Sequence, residues 1–310
     1  MVESAHDTAS PDQTAPNQTG PKLTDEGRPR ELEDWLNRKF YHPLSMRIAK
    51  ALVPTPATPN MVSVAGGLMI VLAAAAYGLG SGWVAALTGL GLHMAWHVFD
   101  GADGDLARLT KRSSAHGEVI DGICDYVGHI ILYLTLAYML ADHIGWAAWG
   151  WAVAAGAGRI VQAAHYEVQR RQYQHWVYGT KWLRVSAKDT GKQEGIIGFF
   201  ESYYVNLAKL LAPGGREVDE LVEVSIETGD ATHSEALRTI IAKEVNPVLR
   251  STYLLSANYR TIALGGTMLA GSPLYFFMFE AIGLTFVLIG SIIVSGRTTR
   301  RIRHQAKSFR

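Results

Sequence analysis

The sequence predicts an all-α integral membrane protein: six transmembrane helices, an N-terminal interfacial amphipathic helix and a cytoplasmic helical insertion. Three observations predict it. Hydrophobic residues make up 48% of the chain and fall in blocks, with the charges between them. No Lys or Arg occurs in 51–107, 113–158 or 261–296, and each gap has room for one or two spans of about 20 residues. The mean hydropathy of +0.06 therefore hides segregation rather than a soluble average. A soluble helical bundle would instead show charges every few residues along its outer faces. The formal net charge of +1 argues against nucleic acid as a partner. The single cysteine, Cys124, excludes an internal disulfide and suits packing as a small apolar residue.

The elements follow in order. Residues 1–29 are rich in Thr, Pro, Asn and Gln and read as a disordered N-terminal tail, with no cleaved signal peptide. Residues 30–56 mix aromatics with bases and suit a helix lying on the membrane surface, broken near Pro43. "TPATPN" at 55–60 is a helix start, with Thr58 as N-cap and Pro59 as the first helical residue. Residues 57–173 hold spans one to four, at about 60–80, 83–108, 115–141 and 146–172. Residues 174–250 are polar and read as a cytoplasmic insertion. In it, "GFFESYYVNLAKLLAPGG" resembles an amphipathic helix ended by Pro and Gly, with further short helices after it. Residues 251–297 hold spans five and six, at about 252–271 and 275–296, and 298–310 form a basic C-terminal tail.

Orientation follows from the bases. The turns near 79–83, 141–146 and 271–275 contain no Lys or Arg. The opposite side carries Arg38, Lys39, Arg47, Lys50, Arg108, Lys111, Arg112, Arg170, Arg171 and the C-terminal bases. By the positive-inside rule both termini and the stretch around Asp100 are cytoplasmic, and the basic tail lies against anionic headgroups.

That stretch, "FDGADGDLARLTKRSSAHGEVIDGICDY", raises the functional question. An Asp at a bilayer centre costs about 2.5–3.5 kcal/mol, so four left bare would cost on the order of 10 kcal/mol. Asp100 and Asp103 are i,i+3 on span two; Asp121 and Asp125 are i,i+4 on span three. The chain reverses between them, so four carboxylates converge between antiparallel helices. Gly101, Gly104, Ala107, Gly117 and Gly122 permit close approach there. Oxygen-only ligands favour a hard cation, Mg²⁺ or Mn²⁺, and four carboxylates have capacity for two such ions, the apparatus for displacement at phosphorus. Arg108 offers a further positive charge.

Asp100, Asp103-Gly104, Ala107-Arg108, Gly117, Asp121 and Asp125 fit the signature D-x2-D-G-x2-A-R-x8-G-x3-D-x3-D. In this the chain resembles the CDP-alcohol phosphotransferase (CDP-alcohol phosphatidyltransferase) family. The resemblance implies a CDP-alcohol donor, a hydroxyl acceptor, release of CMP and two divalent cations held by Asp100, Asp103, Asp121 and Asp125. It implies that Asp125 takes the acceptor hydroxyl's proton. It also implies that Gly104, Ala107, Arg108 and Gly117 border the CDP moiety, and that the protein is a homodimer. "TPN" segments recur in the family, so Asn60 faces either the nucleotide or only the helix cap.

Other residues carry weaker signals. Asp105 and Glu118 lie outside the signature and read as solvated or supporting groups. His93 and His97 form HxxxH on span two; the reading preferred over a metal pair is that His97 supports the acids and His93 packs. His129, one turn past Asp125, either orients that carboxylate or simply packs. Arg159, Gln162, Tyr166 and Arg170 recur at helical spacing on span four, with Tyr173 beyond. They read either as an acceptor pocket, whose arginines suit an anionic acceptor such as a sugar or inositol phosphate, or as an Arg paired with a neighbouring acid. Glu280 has no role in this reading. Two competing functions remain: a cation transporter or channel using the carboxylates, and a non-catalytic membrane scaffold built on 174–250.

Overall fold

The computed structural model describes residues 29–180, 208–227 and 231–307. The predicted tail, 1–28, and most of the "GFFESYY" helix lie outside the described residues. Among those described there is no β-strand, and the protein is an all-α membrane protein.

The chain enters through a π-helical turn, Asn37–Tyr41, that runs directly into α1, His42–Leu52. Pro43 does not break this helix, as the sequence reading expected. The chain stays helical from Asn37 through Leu52, and the wider π turn just ahead of Pro43 accommodates its ring and missing N–H. Nor does this helix only lie on a surface. Ser45 Oγ donates to the Val98 carbonyl at 2.8 Å, and Ala49 packs with Val62, Ala102 and Leu106.

Next comes α2, Pro59–Leu79, capped by Thr58, whose side chain accepts from the Met61 N–H. It is followed by α3, Gly82–Leu109; α4, Ala115–Ile144; and α5, Ala147–Tyr178. These four agree with the expected spans one to four to within a few residues, except that α5 runs six residues past its expected end at 172. Ser114 caps α4, its Oγ accepting from the Gly117 N–H at 3.0 Å. Close packing of α2 against α3 and α4 depends on glycines. A Cβ on Gly67 would stand 3.1 Å from Cys124 Cβ, and one on Gly89 would stand 2.5 Å from the Tyr77 ring.

Beyond the undescribed segment come α6, Gly215–Glu227, and α7, Ala231–Thr252. They enclose a separate apolar cluster with the end of α5, in which Trp176, Val218, Val222 and Ile241 are buried. Trp176 Nε1 donates to Asp219 at 2.7 Å. A 3-10 turn, Tyr253–Leu255, leads into α8, Ala257–Leu269. Span five is thus shorter than the expected 252–271: 13 residues, or about 20 Å, against about 30 Å of hydrocarbon. The last span is α9, Pro273–Met278, a π-helical turn Phe279–Gly283, and α10, Leu284–Lys307. The bases expected as a C-terminal tail continue this helix, and Ile302 and Ala306 join the α6–α7 cluster.

Pro59–Leu79, His116–Ile144 and Pro273–Lys307 are each long and apolar enough to cross a membrane by themselves. α3 and α5 have the length, but glycine, histidine and charged residues dilute their apolar character, and some of these, among them Asp100, Asp103, Gly104, Arg108 and Arg170, line the clefts described below.

Candidate active site

α3 and α4 lie antiparallel, joined by the turn at 110–114, and both bring their aspartates to one end of the bundle. Asp100, Asp121 and Asp125 each offer a carboxylate oxygen within 4.8 Å of the others. Asp103 is 6% exposed and accepts a 2.5 Å hydrogen bond from Ser63 Oγ on α2. Asp125 Oδ1 accepts a 2.6 Å hydrogen bond from the indole of Trp96 on α3. Trp96 is held in turn by the rings of His97 and His129, 4.3 and 4.6 Å away between centroids. Asp103 and Asp125 are therefore each held by a donor from another position and do not swing freely.

The four aspartates divide between two clefts. One, of about 220 Å³, lies between α2, α3 and α4. Asp103 and Asp121 line it with Asn60, Ser63, Gly104, Ala107, Arg108, Arg112 and Gly117. The other, of about 560 Å³, takes Asp100 and Asp125. Its remaining walls come from 29–42, from Trp96, His97 and Gly101 on α3, from Tyr166, Arg170 and Gln174 on α5, and from Ser256–Asn258. Gly104 and Arg108 border both clefts. At Gly104 an added Cβ would stand 3.4 Å from Arg108, and at Gly117 one would stand 3.3 Å from Asn60 Oδ1.

The expected acceptor residues separate. Tyr166 and Arg170 line the larger cleft, with the Arg170 guanidinium 5.5 Å from the Tyr166 ring centre and 3.5 Å from Glu167. Arg159 and Gln162 line neither cleft. Arg159 lies 3.6 Å from Glu280 and donates to the Tyr133 hydroxyl at 3.4 Å. Gln162 is fully buried; its Nε2 donates to the Glu280 carbonyl at 3.0 Å and its Oε1 accepts from Arg260 at 2.9 Å. Glu280, given no role from the sequence, is the centre of this network, with Arg260 at 2.7 Å and Tyr133 also bonded to it. The network lies in the only interruption of the last helix, the π turn at Phe279–Gly283.

The remaining candidates also find partners. His97 Nε2 pairs with Thr261 Oγ1 at 2.8 Å, and His93 reaches the same hydroxyl at 3.4 Å, so neither bonds the acids. His129 Nδ1 bonds only the carbonyl of Asp125, 2.8 Å away in its own helix. Asp105 is 1% exposed and ion-paired with Arg108, so of its two readings it is a supporting group and not a solvated one. Sequence reasoning missed Ser63 and Trp96. Both were findable: Ser63 is i+3 from Asn60 and Trp96 is i−4 from Asp100, on the faces that carry those residues.

The donor set fits divalent cations. It is all oxygen and carries several negative charges within a few ångströms, while Arg108, the motif's cation, is engaged by Asp105. No curated protein matches the chain. Residues 56–192, the segment that holds the four aspartates, match the family model of the CDP-alcohol phosphatidyltransferases.

Proposed function

We propose that this protein moves a phospho-alcohol group, phosphatidyl or phospho-polyol, from a CDP-alcohol to an acceptor hydroxyl and releases CMP. Members of its family are divalent-cation-dependent transferases of phospho-alcohol groups from CDP-alcohols. The observation that carries the reading for this chain is the division of the aspartates between two clefts that meet at Gly104 and Arg108. A two-substrate displacement at phosphorus needs that arrangement: a nucleotide end on one side, an attacking hydroxyl on the other, and shared negative ligands between them.

In this reading the cleft of Asn60, Gly104, Ala107, Arg108 and Gly117 receives the CDP end. Arg108 faces the pyrophosphate, and the small residues let it approach the backbone. The larger cleft receives the acceptor. Asp100, Asp103, Asp121 and Asp125 would hold two Mg²⁺ or Mn²⁺ ions, which when bound neutralise the pyrophosphate and ease deprotonation of the hydroxyl. Asp125 accepts the acceptor hydroxyl's proton, while Trp96 holds one of its oxygens and so fixes the direction of the other. The acceptor oxygen forms a bond to the β-phosphorus, the bond from that phosphorus to the bridging oxygen breaks, and CMP leaves with the electron pair. The product is a phosphodiester, in phospholipid or polar-precursor synthesis. The active site and both termini are assigned to the cytoplasmic side, where soluble nucleotides and the Lys and Arg residues lie.

The test is CMP release by purified protein across a matrix of CDP-alcohols and acceptors. Turnover that requires both partners and a divalent cation, and stops with EDTA, is the expected result. Ion flux in liposomes with no CMP from any pair would favour the transporter reading instead.

A further inference from the structure

The larger cleft is completed by a segment that the family match does not reach. Pro29, Leu32, Glu33, Asn37 and His42 line it, and the match begins at residue 56. This segment is pinned in place by buried and half-buried polar contacts. Glu31 Oε1 accepts from the hydroxyls of Tyr173 at 2.8 Å and Tyr178 at 2.6 Å, and its carbonyl accepts from Tyr253 at 2.5 Å. Asp34, 1% exposed, accepts from the Asn37 backbone N–H at 2.9 Å and from Asn258 Nδ2 at 2.7 Å. Such buried carboxylate bonds are costly to leave unmade, so the segment is held as a wall and is not a loose tail.

We infer that residues 29–42 are the acceptor-selecting wall of this cleft, and that Glu33, Asn37 and His42 read the hydroxyls of an uncharged, water-soluble polyol. The inference rests on the phosphotransfer reading and names its acceptor class. The charges in the cleft decide against an anionic acceptor. Arg159 is withdrawn to Glu280, Arg108 serves the donor's pyrophosphate in that reading, and Arg170 is shared with Glu167. Glu33 adds a carboxylate, paired with His42 at 3.0 Å, to a cleft that already holds Asp100 and Asp125. The groups left over suit hydroxyls. Ser256 Oγ and Arg170 Nε are buried in the cleft lining with no hydrogen-bond partner among the described residues. An unmet buried polar atom is costly, and a bound polyol supplies the missing partner. A carboxylate beside an amide is also a suitable pair for adjacent hydroxyls, since one accepts and the other does both.

The experiment uses the full chain in nanodiscs, with Mg²⁺ and a CDP-alcohol that supports turnover. Glycerol and myo-inositol are compared with their monophosphates as acceptors. The neutral polyol is expected to give the higher kcat/KM. Asn37→Ala and Glu33→Gln are each expected to raise its KM about tenfold, the scale of one hydrogen bond to a charged or well-placed group. The KM of the donor stays within twofold. Tyr178→Phe, which touches the anchor and not the cleft, raises the acceptor KM less. A preference for the phosphorylated acceptor, with a KM set by Arg170 and indifferent to Asn37 and Glu33, overturns the inference. Polyol-induced protection against thermal unfolding gives a second readout, independent of turnover. If no donor yields CMP but this protection is present in the wild type and lost in Asn37→Ala, the transferase reading falls and the wall stands as a polyol site. If the protection is absent and the KM is unmoved, the wall falls alone.

Discussion

Glu280→Gln keeps the shape of the side chain and removes the negative charge that serves the buried Arg260 and the partly buried Arg159. Glu280 is fully buried, Arg260 is 2% exposed, and their charged atoms are 2.7 Å apart. Arg159 lies 3.6 Å away on α5, and the Tyr133 hydroxyl of α4 bonds the same carboxylate. The variant therefore leaves two guanidiniums without a counter-charge at the junction of α4, α5, α8 and the last span. Removing one partner of a buried ion pair costs about 3–5 kcal/mol. Arg260 keeps its bonds to Gln162 and the Leu255 carbonyl, which limits the loss to that range. Against a total stability of about 5–15 kcal/mol, that is a large fraction. The assay is reversible unfolding in mixed detergent micelles, run on Glu280→Gln, Arg260→Met and the pair. The single variants should each be destabilised. The double variant should lose less than their sum, by about 2 kcal/mol or more, because it no longer buries that pair's unmatched charge. If Glu280→Gln unfolds within about 0.5 kcal/mol of the wild type, or the two changes add, the network is not coupled and the account of Arg159 as a structural residue is wrong.

Three further outcomes are expected. Asp125→Asn should lower kcat by about a thousandfold, within the range of a lost general base. Its metal-free melting temperature should be unchanged or higher, since one of several clustered negative charges is gone, and its stabilisation by Mg²⁺ should shrink; turnover near wild type would remove Asp125 from the chemistry. Trp96→Phe deletes the 2.6 Å donor to Asp125 while keeping the aromatic packing, and should reduce kcat about tenfold to a hundredfold with the donor KM held; an unaltered kcat would show that the indole does not position the carboxylate. Gly89→Ala places a Cβ 2.5–2.7 Å from three ring atoms of the buried Tyr77 and should cost about 1–3 kcal/mol in the same unfolding assay. Gly91→Ala meets nothing within 4 Å and should be neutral or slightly stabilising, so equal losses at the two positions would refute the packing argument.

Much of the site was legible because helical spacing is a local property. Asp100 with Asp103, and Asp121 with Asp125, share faces by arithmetic alone, and the short polar turn between α3 and α4 forces those faces together. The starts of α2 and α4 were equally local, since Thr58 and Ser114 act on N–H groups within three residues of themselves. Span five was harder. Its apolar content is legible, but the break at Tyr253–Leu255 follows from contacts with distant partners, as when Tyr253 bonds the Glu31 carbonyl and Asn258 bonds Asp34.

The sequence by itself determined an α-helical membrane protein with an acidic, glycine-lined centre at the end of two adjacent spans, because periodicity, hydropathy and spacing act along the chain. Only the tertiary structure decided which long side chains serve that centre. Arg159 and Arg170 lie three turns apart on one helix and look alike in sequence, yet one reaches Glu280 and the other the cleft. A buried charge goes to whichever partner satisfies it, and Glu280 is 121 positions further along the chain than Arg159.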